Sequence, residues 1–294
     1  MKYSVIIPVY NEITVINNCL ESLKKQTVAR NMEIIVVDDG STDETLKIVR
    51  TFDNINVLRQ NHNGPGAARN LGASKAQGQI LIFVDADMEF ASDFIEKLCK
   101  PIKNGTIGTY STQEFLLNKE NTVARYWNLN FGRSVVKMDP RGYSTKPGGL
   151  YKTGKRVLEI IEGKRAHEEK NKVFRAILKD KFNSVGGFDP KVGYTDDWTV
   201  SEKLGSYPMA VTDAVYYHRS PETYTEVWQQ ARWFGKNEFL TKNLIRRMYN
   251  LIRYNPLLAI TKISDIGFFK FKLVFNTAVF VSVLLSFFGE KKSK

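Results

Sequence analysis

Four short apolar runs, YSVIIPVY, MEIIVVDDGS, INVLRQ and QILIFVDADMEF, recur through residues 3–90, and a stretch with helical patterning separates each from the next. Runs rich in Val and Ile and bounded by polar residues read as strands. The segments between them read as helices: an amphipathic stretch to about Lys25, STDETLKIVRTF, and GPGAARNLGASKA. In the second of these, Ser41 or Thr42 followed by acidic residues is an N-cap pattern. Such alternation predicts right-handed crossovers and an α/β fold with a mainly parallel, twisted sheet lying between helices. Ligands of open sheets sit beyond the carboxyl ends of the strands, so the chemistry is expected at the tips of these four.

Those tips are acidic. They carry Tyr10-Asn11-Glu12, Asp38-Asp39 and Asp85-Ala86-Asp87, with the loop HNGPGAARN beside them. Carboxylates gathered at one place are costly unless something cationic or hydrogen-bonding binds there, and a divalent metal carrying a diphosphate satisfies that need. Asp85 and Asp87 stand two apart on extended chain and so share a face. Hard oxygen ligands of this type suit Mg²⁺ or Mn²⁺. Asp38 and Asp39 also fit a simpler role, capping the helix that follows.

HNGPGAARNLG contains two of the three glycines of a dinucleotide-binding G-x-G-x-x-G. Arg69 occupies the third position, where such a helix needs glycine to pack against its strand. An NAD-dependent dehydrogenase therefore stays only as an alternative. The chain of 294 residues, 43% hydrophobic, has enough apolar content for a sizeable core. Its two cysteines, Cys19 and Cys99, suggest neither a disulfide framework nor a zinc site, and a reduced, cytosolic environment fits. The N-terminal apolar run is short and broken by Pro8, so it reads as the first strand rather than a secretion signal. Lys-rich sequence without interleaved aromatics gives no nucleic-acid signature.

VIIPVYNE, VVDDGSTDET, GPGAARNLGAS and FVDADMEF, in this order, resemble the nucleotide-sugar-binding half of family 2 glycosyltransferases of the GT-A fold. The resemblance implies a nucleotide-diphosphate-sugar site contacted by Pro8, Tyr10, Glu12, Asp39, Arg69, Asp85 and, further on, Gln229, with Asp87 and Asp85 holding the metal. It extends to about Phe239. FNSVGGFDP is similar to the family's glycine-containing turn before the catalytic carboxylate, and Thr195-Asp196-Asp197-Trp198 matches its acidic pair. By that match Asp197 is the general base, and Asp196 stands where the family usually has Glu, which leaves its role open. Both aspartates also suit N-capping of WTVSEKLG.

Gln229-Gln230-Ala231-Arg232-Trp233 resembles the Q-x-x-R-W motif of the cellulose-synthase-like branch. It implies that Arg232 stabilises charge on the leaving nucleotide and that Trp233 packs a sugar ring or lipid. His218, where many members carry a late histidine, either completes the metal site or bonds a backbone group. His62 and His167 carry no signal. Between residues 100 and 181, Asn121–Met138 reads as an amphipathic helix and RGYSTKPGGLYKTGKR as a basic loop, a solvated surface by default and otherwise a segment that holds an acceptor or covers the donor.

The net charge of +12 is unevenly spread: residues 240–294 hold seven Lys and three Arg against Asp265 and Glu290, a net +8. NLIRRMYNLIRYNPLLAITKI has the composition of a helix in a membrane interface. LVFNTAVFVSVLLSFF follows without a charge and would reach about 24 Å as a helix, against a hydrocarbon core of about 30 Å. It reads as a membrane anchor, with a buried core helix or an oligomer contact as the alternative. The expected organisation is a glycosyltransferase domain over 1–239, with a nucleotide-sugar half at 1–100 and an acceptor half at 101–239, followed by membrane-associated helices at 240–294. The catalytic domain is expected on the cytoplasmic side of the cell membrane, where nucleotide sugars are found.

The expected activity is inverting, metal-dependent transfer of a single sugar from a UDP- or GDP-sugar, such as GDP-mannose. The acceptor is expected to be a polyprenyl-phosphate- or polyprenyl-diphosphate-linked molecule or a glycan. With room for one or two membrane helices, the chain lacks the several that a polymer channel needs. A polyprenyl-phosphate sugar synthase of the dolichyl-phosphate mannose synthase kind, a short processive polysaccharide synthase and a non-catalytic nucleotide-sugar-binding protein remain as alternatives.

Overall fold

A computed structural model describes residues 2–131, 172–193, 196–236, 238–262 and 266–289. The chain divides into two compact units, Met1–Phe115 with Asn171–His218 and Leu116–Lys170 with Arg219–Lys294. The strands are β1 (Tyr3–Val9), β2 (Met32–Asp38), β3 (Ile55–Arg59), β4 (Ile80–Phe83), β5 (Met88–Phe90), β6 (Gly108–Leu116), β7 (Ala176–Leu178) and β8 (Met209–His218). The helices are α1 (Ile16–Lys24), α2 (Thr45–Val49), α3 (Pro65–Lys75), α4 (Phe94–Lys103), α5 (Thr122–Asn130), α6 (Lys179–Ser184), α7 (Thr199–Leu204), α8 (Tyr224–Gly235), α9 (Glu238–Thr241), α10 (Leu244–Arg253) and α11 (Ile266–Leu285).

In the first unit the described strands form one sheet in the order β3-β2-β1-β4-β7-β6-β8-β5. The pairs β1–β2, β1–β4 and β2–β3 are parallel, as the alternating pattern predicts. The rest corrects the expectation of a mainly parallel sheet: β4–β7, β6–β7 and β5–β8 are antiparallel, so the sheet is mixed. QILIFVDADMEF is also two strands and not one. β4 lies at the centre and β5 at the far edge, and Val84–Asp87 joins them.

Val5, Ile7 and Val9 enter one core with Ile16, Leu20, Phe94 and Leu98, while Ile6, Ile35, Val37, Leu81 and Phe83 enter another with Ala68 and Ala73. A sheet covered on both faces needs apolar residues at odd and even positions alike, and so these strands read as unbroken runs. The N-cap expected at Ser41 or Thr42 does not form. α2 begins at Thr45, and its cap residue Glu44 makes no side-chain bond. Ser41 Oγ instead accepts from the Asn11 N–H, and Asn11 Oδ1 accepts from the Thr42 N–H, tying the loops after β1 and β2 together.

A Cβ at Gly72 would lie 2.5 Å from Ile6 Cγ2 and 3.2 Å from Val37 Cγ2. α3 therefore rests on β1 and β2 at a separation that only glycine permits. This is the close helix–strand packing that the third glycine gives a dinucleotide binder, moved three residues along so that position 69 is free to carry an arginine.

In the second unit, α8 and α11 pack around Trp127, Val227, Ala231, Phe271, Phe275, Ala278, Val279 and Val283. A Cβ at Gly235 would stand 2.5 Å from Ser282 Cβ, and Ser282 Oγ donates to the Arg232 carbonyl at 2.6 Å. With the turn that follows, α11 runs 23 residues, Ile266–Phe288. Among the described residues it is the one helix long and apolar enough to cross a membrane, and part of it is buried against the unit. Of the helix expected over Asn121–Met138, Thr122–Asn130 is observed. Residues 132–138 and the basic loop at 141–156 lie outside the described residues.

Gly72→Val would force three carbons into the α3–β1 contact. The expected loss of unfolding free energy is about 1–3 kcal/mol or more, read as a lower urea midpoint at unchanged m-value.

Candidate active site

The site begins where β1 and β4 part. β1 pairs with β4 from Tyr3 to Ile6 but with β2 as far as Val9. The Ile6 carbonyl accepts from the Val84 N–H on the β4 side, and residue 8 faces the same side. Pro8 has no N–H to offer there, so the ladder stops and the chain after Val84 turns away. The gap lies at the position where the strand order 3-2-1-4 reverses, the usual ligand crevice of such sheets. Tyr10 to Glu12 and Asp85 to Asp87 lie at the ends of the two strands.

Arg69, 9% exposed, holds this region together. Its Nη2 meets Asp85 Oδ1 at 2.7 Å and its Nη1 meets Asp196 Oδ1 at 3.3 Å. Asp85 Oδ2 lies 3.2 Å from Arg175 Nη1. Burial works against the Asp85 carboxylate, but the two guanidinium groups outweigh it and hold its pKa well below the usual carboxylate range. Asp196 accepts from the backbone N–H of Gly66 in the first turn of α3, and a Cβ at Gly66 would run into its carboxylate. Two glycines of the motif thus serve packing: Gly72 seats the helix, and Gly66 admits an aspartate from more than a hundred residues away.

Asp196 is 4% exposed, and burial raises its pKa against the pull of Arg69. Neighbouring Asp197 is less enclosed; burial pushes its carboxyl up to about 7, opposed by Arg69 and reinforced by Asp196. Neither aspartate caps α7, whose cap residue is Trp198 and makes no side-chain bond. Thr195, the first residue of the T-D-D sequence, lies outside the described residues.

β5 and β8 set Met88 opposite His218. The His218 Nε2 stands 3.2 Å from Asp87 Oδ2 and its Nδ1 3.4 Å from Glu114 Oε1, while the Tyr216 hydroxyl donates to Glu114 Oε2 at 2.9 Å. Burial alone would lower the imidazole pKa, but the carboxylates of Asp87 and Glu114 raise it to about 10. Asp87 Oδ1 is buried, with no hydrogen-bond partner among the described residues.

Asp39, just after β2, is enclosed by the loop that follows β3. Its Oδ1 accepts from Gln60 Nε2 and the Asn63 N–H at 2.7 and 2.8 Å, and its Oδ2 accepts from the Gly64 N–H at 2.9 Å. His62 Nδ1 lies 3.0 Å from Asp39 Oδ2, and the imidazole packs against Tyr10 at a 33° tilt with ring centroids 4.2 Å apart. The Glu12 backbone N–H donates to Thr45 Oγ1 at 2.8 Å.

Of the residues singled out in the sequence, Arg69, Asp85 and Asp196 meet directly, Asp197 adjoins them, and Asp87 meets His218. Gln229, Arg232 and Trp233 share α8 in the second unit. Arg175, Glu114 and His62 were not anticipated. Arg175 immediately precedes the three-residue β7, and its carbonyl accepts from the Phe83 N–H at 2.9 Å, which sets it beside Asp85. Nothing in its linear neighbourhood marks that position.

Over 103 residues the chain is 42% identical to the poly(ribitol-phosphate) beta-N-acetylglucosaminyltransferase TarS of Staphylococcus aureus, which is 33% of this chain and 17% of that protein. Over 100 residues it is 42% identical to a poly(ribitol-phosphate) beta-glucosyltransferase of Bacillus spizizenii, 32% of this chain and 16% of that one. The matches thus span about a sixth of these relatives' length. The mannosyltransferase PcManGT from Pyrobaculum calidifontis, solved with GDP-Man and Mn²⁺, superposes with a TM-score of 0.60 at 18% identity, covering 99% of this chain and 88% of that one. S. aureus TarS 1-349 with UDP-GlcNAc gives 0.54 at 18% identity, covering 97% and 92%. At these identities the superpositions show a shared GT-A-type α/β fold. The Glycosyl transferase family 2 profile matches residues 4–157, more than half of the chain, which therefore belongs to that family.

Proposed function

We propose that this enzyme transfers one sugar, with inversion, from a nucleotide-diphosphate sugar to a hydroxyl of a lipid-linked acceptor at the cytoplasmic face of a membrane, as a small member of the cellulose-synthase-like branch. The observation that carries the reading is the carboxylate pair at Arg69: Asp196 is tied to the guanidinium, while Asp197 remains less enclosed, with a carboxyl pushed up to about 7. A group with that affinity for a proton suits a general base working near neutral pH. As the acceptor oxygen bonds to the anomeric carbon, Asp197 takes the hydroxyl proton and the carbon–oxygen bond to the nucleotide diphosphate breaks. Attack from the side opposite the leaving group inverts the carbon.

Among the described residues no group of three or more His, Cys, Asp or Glu is gathered to hold a metal, so the protein would offer a divalent ion of the Mg²⁺ or Mn²⁺ class Asp87 and His218, with the diphosphate supplying further oxygens. Asp87 brings a buried carboxylate oxygen with no partner, and His218 Nε2 lies beside the other oxygen. Asp85 fits less well as a ligand, because both its oxygens already meet guanidinium groups. Bound at Asp87, and at His218 once the ring gives up the Nε2 proton it shares with Asp87, the ion would neutralise charge on the departing diphosphate. Glu114 fixes the His218 ring through Nδ1, the outer-shell support usual for a metal-binding imidazole. For the base of the donor we favour the open cavity of about 580 Å³ lined by Gly40, Arg59, Gln60 and Asn61, beyond the tips of β2 and β3. The parallel to neighbours solved with UDP-GlcNAc and with GDP-Man supports a UDP- or GDP-sugar as donor.

Asp197→Asn is expected to lower kcat for a hydroxyl acceptor by about 10²- to 10⁴-fold and to leave donor affinity intact. Near-normal turnover would favour a polyprenyl phosphate as nucleophile, which is already an anion and needs no base. For the wild type, kcat/KM should rise with pH through about 7, because the base works only when deprotonated. In a thermal-shift panel, UDP- or GDP-sugars should raise the Tm when Mn²⁺ is present, and Asp87→Ala should remove the Mn²⁺-dependent part. Stabilisation by NAD instead would contradict the reading.

A further inference from the structure

α10 is built inside out. Leu244, Ile245, Met248 and Ile252 are 65%, 55%, 51% and 68% exposed, while Arg246 and Asn250 are 6% and 2% exposed. At about 100° per residue, the four apolar side chains occupy an arc of about 100°, and Arg246 and Asn250 lie on the opposite side. The polar side is held by specific bonds: Asn250 Nδ2 donates to the Leu240 carbonyl at 3.0 Å and the Arg246 carbonyl at 2.8 Å, and the Asn243 side chain caps the helix. These contacts fix the rotation of the helix about its axis, so its apolar side stays outward. Leu257 and Leu258, in the turn that follows, are exposed as well, at 70% and 44%. A helix that buries an arginine and shows water its leucine and isoleucines leaves an apolar face to be covered.

We infer that this face of α10, with Leu257 and Leu258, lies in the interface of an anionic bilayer and seats the enzyme on the membrane as a monotopic protein. Charge selects this occupant. The face belongs to a segment of net charge +8, and Lys242, Arg247 and Arg253 sit on or beside α10. Anionic headgroups attract such a segment. A second copy meeting it face to face would bring two equally basic segments together. Among the described residues, α11 supplies the apolar length for a span, yet it gives Phe271, Phe275, Ala278, Val279 and Val283 to its packing in the second unit. The proposal assigns membrane contact to α10 and a scaffolding role to α11. It rests on the reading of the enzyme as one that works at a membrane.

The test uses the full chain in flotation with vesicles of phosphatidylcholine alone or mixed with phosphatidylglycerol. The wild type is expected to float with the mixed vesicles and to be released by high salt. The triple variant Ile245→Ser, Met248→Ser, Ile252→Ser should bind them at least tenfold more weakly. Ile252→Cys carrying a polarity-sensitive fluorophore should brighten when mixed vesicles are added, since Cys19 and Cys99 are buried and do not compete for label. Unchanged flotation of the triple variant, as a spanning α11 alone would give, overturns the proposal. So does a wild type that ignores both vesicles and loses a dimer on the triple substitution. Sugar transfer to a detergent-dispersed polyprenyl-linked acceptor, measured without vesicles, reads the proposed function separately: it should be equal in wild type and triple variant, and its absence beside normal flotation would sink the catalytic reading alone.

Discussion

Arg69 brings one guanidinium into a place where aspartates from distant parts of the chain converge. Its two terminal nitrogens meet Asp85, from the end of β4, and Asp196, from the segment before α7. Without it, two carboxylates would face each other across a poorly solvated gap, a situation that costs about 3–5 kcal/mol when one partner of a buried pair is removed. The rest of the site follows. Asp85 is pinned beside the turn after β4 in which Asp87 meets His218, and Asp196 is pinned beside the half-buried Asp197. α3 reaches this position because Gly72 lets it rest on β1 and β2, and Gly66 leaves room for Asp196 at its first turn.

The same contact explains why a loop shaped like a dinucleotide fingerprint does other work. In a dinucleotide binder the first turn of the helix faces a pyrophosphate. Here Asp196 accepts the Gly66 N–H, and Asp39 accepts the Asn63 and Gly64 N–H groups. The Asn63, Gly64 and Gly66 amides at this helix start are already taken by the protein's own carboxylates. Across the crevice, Asp87 keeps one carboxylate oxygen without a partner among the described residues.

The parallel half of the sheet was legible because strands covered on both faces leave unbroken Val/Ile runs, as in β1, β2 and β4. The antiparallel half was not: β5 and β7 are three residues each, too short to show a period, and their places are set by pairing with β8 and β4. The site was legible to the same degree. Asp85 and Asp87 are marked by their place at a strand tip two residues apart, whereas Arg69, Asp196 and Asp197 are marked by the resemblance of their motifs to the family's. Arg175 and Glu114 act through register across the sheet, which linear sequence does not carry. α10 lies between: its Leu, Ile and Arg spacing announced an amphipathic helix, but only packing shows that the arginine side faces inward.

A double-mutant cycle on Arg69→Met and Asp196→Asn, read as unfolding free energy in urea at neutral pH, addresses the contact on which this arrangement stands. If the guanidinium joins the two segments as described, the two substitutions should be non-additive, with a coupling energy of about 1–3 kcal/mol. Additivity within about 0.5 kcal/mol would mean that Arg69 and Asp196 act independently, and the picture of a site assembled around one arginine would fail.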